Sequence, residues 1–261
     1  MLKMKIPSAI NRNNPDFVSA LERGLEVIKA FGADADGLTL SEVAIRTGLT
    51  RGTARRFLLT LHALGYLRLE GKTFHLAPKA LDLGYAYLSS LPIWKAAHPI
   101  MKEVTETLGE SCSLGVLDGV DVVYIARQPP KHSTFSPINV GMRMPAYINA
   151  MGRVLLAGLS PSQLDDYFSR AILKKITAHT VASEPALRTL LKKISADQYA
   201  LAERQADVGI LSIAVPVLSR SGRMEFALNA SSVAGRASKA DLKGRFLPVL
   251  RSAAEQLGRS F

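Results

Sequence analysis

The sequence predicts an α+β chain in two parts, and three observations carry that prediction. Over residues 37–64 a helix-capping signature, a glycine turn and a helix with a basic outer face follow one another without a break. Two alternating runs on either side of Glu70-Gly71 then supply a hairpin. From Cys112 onward, β-rich pairs, a helical stretch, returning strands and a closing amphipathic helix describe a mixed domain built on an antiparallel sheet.

The chain's 261 residues are enough for two domains, each with its own core. A net charge of +11 calls for an anionic partner without separating nucleic acid from a membrane surface. Residues 1–90 hold twelve Lys and Arg against eight Asp and Glu, so the excess is spread along the chain. The informative feature is the local cluster Arg46, Arg51, Arg55 and Arg56. The single cysteine, Cys112, excludes an intramolecular disulfide framework and a multi-cysteine zinc site; a buried, inert thiol is expected there. The first residues lack the apolar run of about 7–15 residues that a signal peptide needs. No window offers about 18 uninterrupted apolar residues for a membrane helix. The expectation is a soluble cytoplasmic protein, free of the membrane, with a disordered arm over residues 1–14.

Asp16 can cap a first helix running to about Phe31, in which Phe17, Leu21, Leu25, Ile28 and Phe31 recur at intervals of three or four. Gly32 to Gly37 reads as a polar loop. Thr39-Leu40-Ser41-Glu42 is a capping box, in which hydroxyl and carboxylate each satisfy a backbone N–H left bare at a helix start. That helix stops at Gly48, and Thr50 caps the next, from Arg51 to Leu64. At about 100° per residue, Ala54, Phe57, Leu58, Leu61 and Leu64 make one apolar stripe; Arg51, Thr53, Arg55 and Arg56 stay on or beside the outward face.

Two short helices across a glycine turn, the second one basic, form a helix-turn-helix whose second helix is sized for a DNA major groove. Tyr66 to Leu69 and Lys72 to Leu76 add a wing, so residues 15–77 read as a winged helix-turn-helix. Thr50, Arg51, Thr53, Arg55 and Arg56 are the candidates for contact with double-stranded DNA, and Lys72 at the wing tip for a phosphate. An ordinary helical pair with a solvated basic face is the competing reading of the same residues.

Pro78 opens a linker helix over residues 78–91, ended by Pro92, and a second helix spans Trp94 to Leu108. Residues 92–261 form the second domain. SLGVLDG and VDVVYIARQ flank Asp118-Gly119 as a hairpin, and a short strand leads into PAYINAMGRVLLAGL, where a helix is expected from about Asn149 to Leu159. Helices fit Pro161 to Ser169 and Glu184 to Ile194. Strands fit Gln198 to Glu203, Ser212 to Leu218 and Met224 to Ser231, and a last helix runs from about Lys239 to Leu257. Asp118, Asp165, Asp166 and Glu184 fall in turns or helix starts, where capping explains them.

These segments resemble the IclR family of bacterial transcriptional regulators over nearly the whole chain. The resemblance rests on LERGLEVIKAF, LSEVAIRTGLTRGTARRFLLTLHALGYL, VLDGVDVVYIAR, PAYINAMGRVLLAGL, GILSIAVPV and NASSVAGR. TRGTARRFLLTL, LDLGYAYLSSLPIW and RMPAY look most like regulators of the β-ketoadipate pathway, which govern breakdown of protocatechuate and p-hydroxybenzoate. The resemblance implies a GAF-like effector-binding second domain, self-association as a dimer or dimer of dimers, and a small organic acid as effector. It implies a pocket floored near Ala150, Met151 and Gly152, with Glu203, Ser212, Asn229 and Ser231 as polar groups. Asn149 at the following helix start suits an anion. The chain departs from the family pattern at Leu211, where an Arg is usual, at Gln205, an acidic position, and at Asn149-Ala150, where pathway relatives often carry Thr-Ser. Arg143 or Arg153 could replace the missing guanidinium.

No nucleophile elbow, phosphate-binding loop, dinucleotide fingerprint or zincin motif occurs, so no catalytic residues, metal ligands or cofactors are assigned. His62, His75, His98, His132 and His179 have no ligand spacing. The alternative to a ligand-responsive regulator is a small-molecule-binding or catalytic α+β protein whose basic helix is incidental. The ordered succession of capping box, glycine turn, triple-Arg helix and wing favours the regulator.

Overall fold

The computed structural model describes residues 12–32, 36–131 and 138–261. Most of the expected N-terminal arm, part of the Gly32–Gly37 loop and His132 lie outside the described residues. The chain forms two compact units, one ending at Tyr87 and the other beginning at Leu88.

The first unit contains α1 (Ser19–Lys29), β1 (Leu38–Thr39), α2 (Leu40–Thr47), α3 (Arg51–Ala63), β2 (Leu67–Glu70) and β3 (Thr73–Leu76). Asp16 does not cap α1. Residues around it fold into turns, its N–H donates to Asn14 Oδ1, and the helix starts three residues later without a side-chain cap. The capping box forms as expected: Thr39 Oγ1 accepts the Glu42 N–H at 3.4 Å, and the Thr39 N–H donates to Glu42 Oε2 at 2.8 Å. Gly48 takes φ 67°, a left-handed value that lets the chain leave α2 and enter the Thr50 cap within two residues.

Val27, Val43, Ala44, Ala54, Leu58, Leu61, Leu67 and Phe74 close the core of this unit. Leu64, expected on the apolar stripe, is 54% exposed because it sits at the C-cap of α3, past the last turn that the core covers. The wing is a three-stranded sheet in the order β1-β3-β2. Its edge strand β1, pairing Leu38 with Phe74, is too short to leave a periodic signal in the sequence.

A 3₁₀ turn (Pro78–Ala80) leads into α4 (Leu81–Ser90), and α5 (Trp94–Leu108) follows. Then come β4 (Ser111–Asp118), β5 (Asp121–Gln128), β6 (Arg143–Pro145), a 3₁₀ turn (Ala146–Ile148), α6 (Ala150–Ala157), α7 (Pro161–Arg170) and α8 (Glu184–Asp197). The chain ends with β7 (Ala200–Glu203), β8 (Ile210–Leu218), β9 (Met224–Val233), α9 (Lys239–Asp241), a π turn (Leu242–Phe246) and α10 (Leu247–Gly258). One long closing helix was expected. Pro248 has no N–H for the carbonyl four residues before it, and the helix widens just ahead of it. Gln198 takes φ 56° at the end of α8, so the strand expected from Gln198 starts at Ala200.

The six strands form an antiparallel sheet in the order β6-β5-β4-β9-β8-β7. Along β9, Leu228 and Ala230 join the core shared with α5 and α10, while Ala227 joins the core under α6. By the same alternation, Asn229 and Ser231 lie on the α6 side. No helix among the described residues is long and apolar enough to cross a membrane.

Candidate nucleic-acid interface and ligand cavity

In α3 the centre of the apolar stripe is buried, with Ala54 and Leu58 at 0% exposure, so the helix cannot roll without opening its core. Arg51, Arg55 and Arg56 are exposed on its outer side, and none of their guanidinium groups makes an ion pair or hydrogen bond among the described residues. Thr50 accepts the Thr53 N–H at 3.3 Å, and the two hydroxyls lie 2.9 Å apart. Both threonines therefore set the helix start as well as facing outward near it. Lys72 is exposed at the wing turn. The structure thus brings Thr50, Arg51, Thr53, Arg55 and Arg56 onto one helix and its cap, with Lys72 on the adjoining hairpin.

In the second unit, the sheet face beneath α6 changes character along its strands. Under the helix it carries Val122, Ala214 and Ala227. Beyond the helix start, the same face carries Ser113, Ser212, Asn229 and Ser231, and a cavity of about 290 Å³ opens there. Its walls also include Glu110, Tyr124, Met142, Met144, Asn149, Gln205 and Arg236. Of the residues expected at a pocket, Ser212, Asn229 and Ser231 line this cavity. Ala150, Met151, Gly152 and Glu203 are not among its described lining.

The physical reasons are local. Ala150 and Met151 are fully buried in the core under α6. Gly152 is pressed against the backbone of Ala146, where an added Cβ would lie 2.2 Å from the carbonyl oxygen. Glu203 pairs with Lys239 at 2.7 Å. Sequence reasoning placed Asn149 at the helix start and set the departure at Gln205 in or close to the pocket, and both line the cavity; it did not select Glu110, Tyr124 or Arg236. For Arg236, the Arg of the quoted NASSVAGR segment was the available signal.

Among the described residues, two cavity side chains carry buried polar atoms without partners: Asn149 Nδ2 and Asn229 Oδ1. The Asn149 amide is oriented by its own cap bond, with Oδ1 accepting the Gly152 N–H at 2.7 Å, which leaves Nδ2 as a donor. A buried unmet donor and a buried unmet acceptor each cost about 1–3 kcal/mol until a partner arrives. A ligand offering both an acceptor and a donor would answer them. Tyr124 OH donates to Met144 Sδ at 3.5 Å, and burial pushes its phenol up to about 12, so it remains protonated.

Neither Arg143 nor Arg153 lines the cavity. Arg143 bridges Asp118 at 2.7 Å and Asp121 at 3.2 Å on the β4–β5 hairpin. Asp118 is therefore an ion-pair partner rather than a cap, as are Asp165 and Glu184 with Arg188 and Asp166 with Arg170. Arg153 is 2% exposed behind the cavity wall and reaches Gln205 at 2.5 Å. Among lining residues, Arg236 meets Glu110 at 3.5 Å, and Glu110 also accepts from Ser232 at 2.9 Å. Cys112 is buried, and desolvation raises its thiol far above the ordinary range. No group of three His, Cys, Asp or Glu residues that could hold a metal occurs among the described residues.

Comparison with known proteins covers both units. The IclR helix-turn-helix domain matches residues 20–71, and the bacterial transcriptional regulator IclR C-terminal domain matches residues 85–259. The chain is 38% identical to the Pca regulon regulatory protein of Pseudomonas putida, over 94% of this chain and 84% of that one. The crystal structure of a putative transcriptional regulator from Rhodococcus sp. RHA1 is 39% identical, with a TM-score of 0.84 over 94% of this chain and 98% of that one. An IclR homologue from Microbacterium hydrocarbonoxydans, crystallised with 4-hydroxybenzoate, is 25% identical with a TM-score of 0.81, covering 92% of this chain and 98% of that one. These relatives are regulators and not enzymes, and the chain belongs to the IclR family of bacterial transcriptional regulators.

Proposed function

We propose that this regulator binds an operator through α3 and the wing, and that a small hydroxylated aromatic acid in the second-unit cavity controls the binding of genes for aromatic-acid breakdown. The observation that carries the DNA half is the set of three unpaired guanidinium groups on a helix locked by its buried stripe. Arginine pairs bidentately with guanine in the major groove, at about 1–3 kcal/mol of discrimination each, and otherwise holds phosphates. Some of Arg51, Thr53, Arg55 and Arg56 read base edges; the others, with Thr50 and Lys72, fix the register on the backbone.

The cavity volume, its apolar walls and the unmet atoms of Asn149 and Asn229 support a ring bearing one carboxylate and one hydroxyl. The relative bound to 4-hydroxybenzoate supports the same class. The protein acts in the cytoplasm as a dimer or a dimer of dimers, whose paired reading heads meet two half-sites. Exposed Leu81, Leu83 and Tyr85 on α4 support self-association, because a second copy would remove them from water.

Gel shifts on the promoter fragments flanking the gene, with and without a panel of aromatic acids, test the reading. Salt-sensitive, sequence-selective binding that one acid modulates is the expected result. Selective binding to no fragment overturns the DNA half, and binding that no acid alters overturns the effector half. Sedimentation that shows a monomer at working concentration overturns the assembly.

A further inference from the structure

Arg153 is a buried cation without a counter-ion among the described residues. Its guanidinium donates to Tyr147 O at 2.8 Å, Leu201 O at 3.4 Å and Gln205 Oε1 at 2.5 Å, and all three acceptors are neutral. No carboxylate lies within bridging distance among the described residues. Desolvation pulls its pKa down to about 10, which still leaves it charged at neutral pH. A buried charge that lacks an opposite charge is held at a cost that any anion brought nearby would reduce.

The cavity is the place where such an anion can arrive. Gln205 and Asn149 line it, and both touch the structure around Arg153: Gln205 directly, and Asn149 as the cap of the helix that carries it. Gln205 is itself held rigidly, its Oε1 accepting the Val181 N–H at 2.9 Å and its Nε2 donating to His179 O at 2.6 Å. The free Nδ2 of Asn149 supplies a direct donor at the same helix start, where the backbone dipole also favours negative charge. The other charged lining groups do not compete for the role. Glu110 and Arg236 answer each other, and Asp207 is exposed and accepts the Gly209 N–H.

We propose that Arg153, one layer behind the cavity wall, is the residue that selects the charge of the ligand, favouring a carboxylate over the equivalent neutral amide through Gln205 and the Asn149 helix start. The inference rests on the effector reading given above. Arg153 is a positioning residue here, because it acts through the wall and does not touch the ligand.

Calorimetric titration of the full chain with 4-hydroxybenzoate and with 4-hydroxybenzamide tests it. The wild-type chain should prefer the acid at least tenfold. R153M should weaken the acid at least tenfold and leave the amide within about twofold, while R153K should keep the preference. If R153M weakens acid and amide alike, or alters neither, Arg153 is only structural and the inference falls. Should R153M fail to fold, R153Q, which removes the charge but keeps an amide donor for the surrounding carbonyls, takes its place and should weaken the acid at least tenfold while leaving the amide within about twofold; equal effects overturn the inference. If neither compound binds the wild-type chain, the effector reading falls and takes this inference with it. An acid that binds the wild type and R153M equally well sinks the inference alone.

Discussion

Replacing Gly152 with alanine sets helix propensity against packing. Alanine is better than glycine in a helix interior by roughly 1 kcal/mol, so propensity alone predicts stabilisation of α6. The added Cβ, however, would lie 2.2 Å from Ala146 O, 2.4 Å from Ala146 Cα and 2.6 Å from Ala146 C. These are backbone atoms of a buried 3₁₀ turn, and no side-chain rotation can clear them. The turn and the helix must part by roughly an ångström to reach ordinary contact, a strain of the kind that costs about 1–3 kcal/mol in a filled core. The same movement loosens the 2.7 Å cap from the Gly152 N–H to Asn149, worth about 1 kcal/mol. Strain and lost cap together exceed the propensity gain, leaving a net destabilisation of about 1–3 kcal/mol. For a unit of this size each kcal/mol is worth about 2–4 °C in Tm. Trp94 is the only tryptophan and lies in α5 of the same unit, so its fluorescence follows that unit's melting. A Tm that stays level or rises in Gly152→Ala would show that α6 does not bear on the Ala146 turn as described.

Arg55→Ala should leave the melting temperature unchanged, since the side chain has no partner among the described residues, and should lower operator affinity by about 1–3 kcal/mol if it reads a guanine. A phosphate contact would instead weaken all DNA sequences alike and reduce the salt dependence by about one unit in a filter-binding series; unchanged affinity for every fragment excludes both roles. The Glu42 carboxyl is held below its ordinary value, first by the Thr39 N–H and then by the Thr39 hydroxyl. Its contribution is complete above the unfolded-state value and is lost as pH falls through the lower folded-state value. Urea midpoints of the first unit, followed by circular dichroism between pH 6 and 3, should therefore lose part of their acid slope in Glu42→Gln; an identical slope would refute the cap. Cys112, with its thiolate disfavoured by burial, should resist iodoacetamide at pH 8 until the chain is unfolded by urea, and prompt labelling of the native protein would contradict its placement.

Much of the fold was legible because its signals are local. The capping box at Thr39–Glu42, the turn at Gly48 and the cap at Thr50 each concern groups within a few residues of one another. The stripe of Ala54, Leu58 and Leu61 follows from helical periodicity alone. These features were sufficient to predict both the reading helix and its outward arginines. The misreadings arose where a distant partner decided the outcome. Asp118, Asp165 and Glu184 sit at positions suited to caps, yet arginines far along the chain claim the first two. Leu64 lies on the stripe, but the core ends one turn before it.

The sequence by itself determined the order of elements, the basic face of α3 and the polar character of alternate positions on β9, since each depends on spacing along one element. Only the tertiary structure decided which polar groups meet. The cavity exists where α6 stops covering the sheet, so its lining comes from β4, β8, β9, the helix start and the turn after β7, and Glu110 and Ser232, which meet in its wall, lie 122 residues apart. For that reason Ala150, Met151 and Gly152, adjacent to Asn149 in the chain, fall into the core, while Asn149 itself faces Asn229's side of the sheet. The buried charge of Arg153 became visible only once its neighbours proved to be carbonyls and an amide in place of acids, because charge compensation is a property of three-dimensional surroundings.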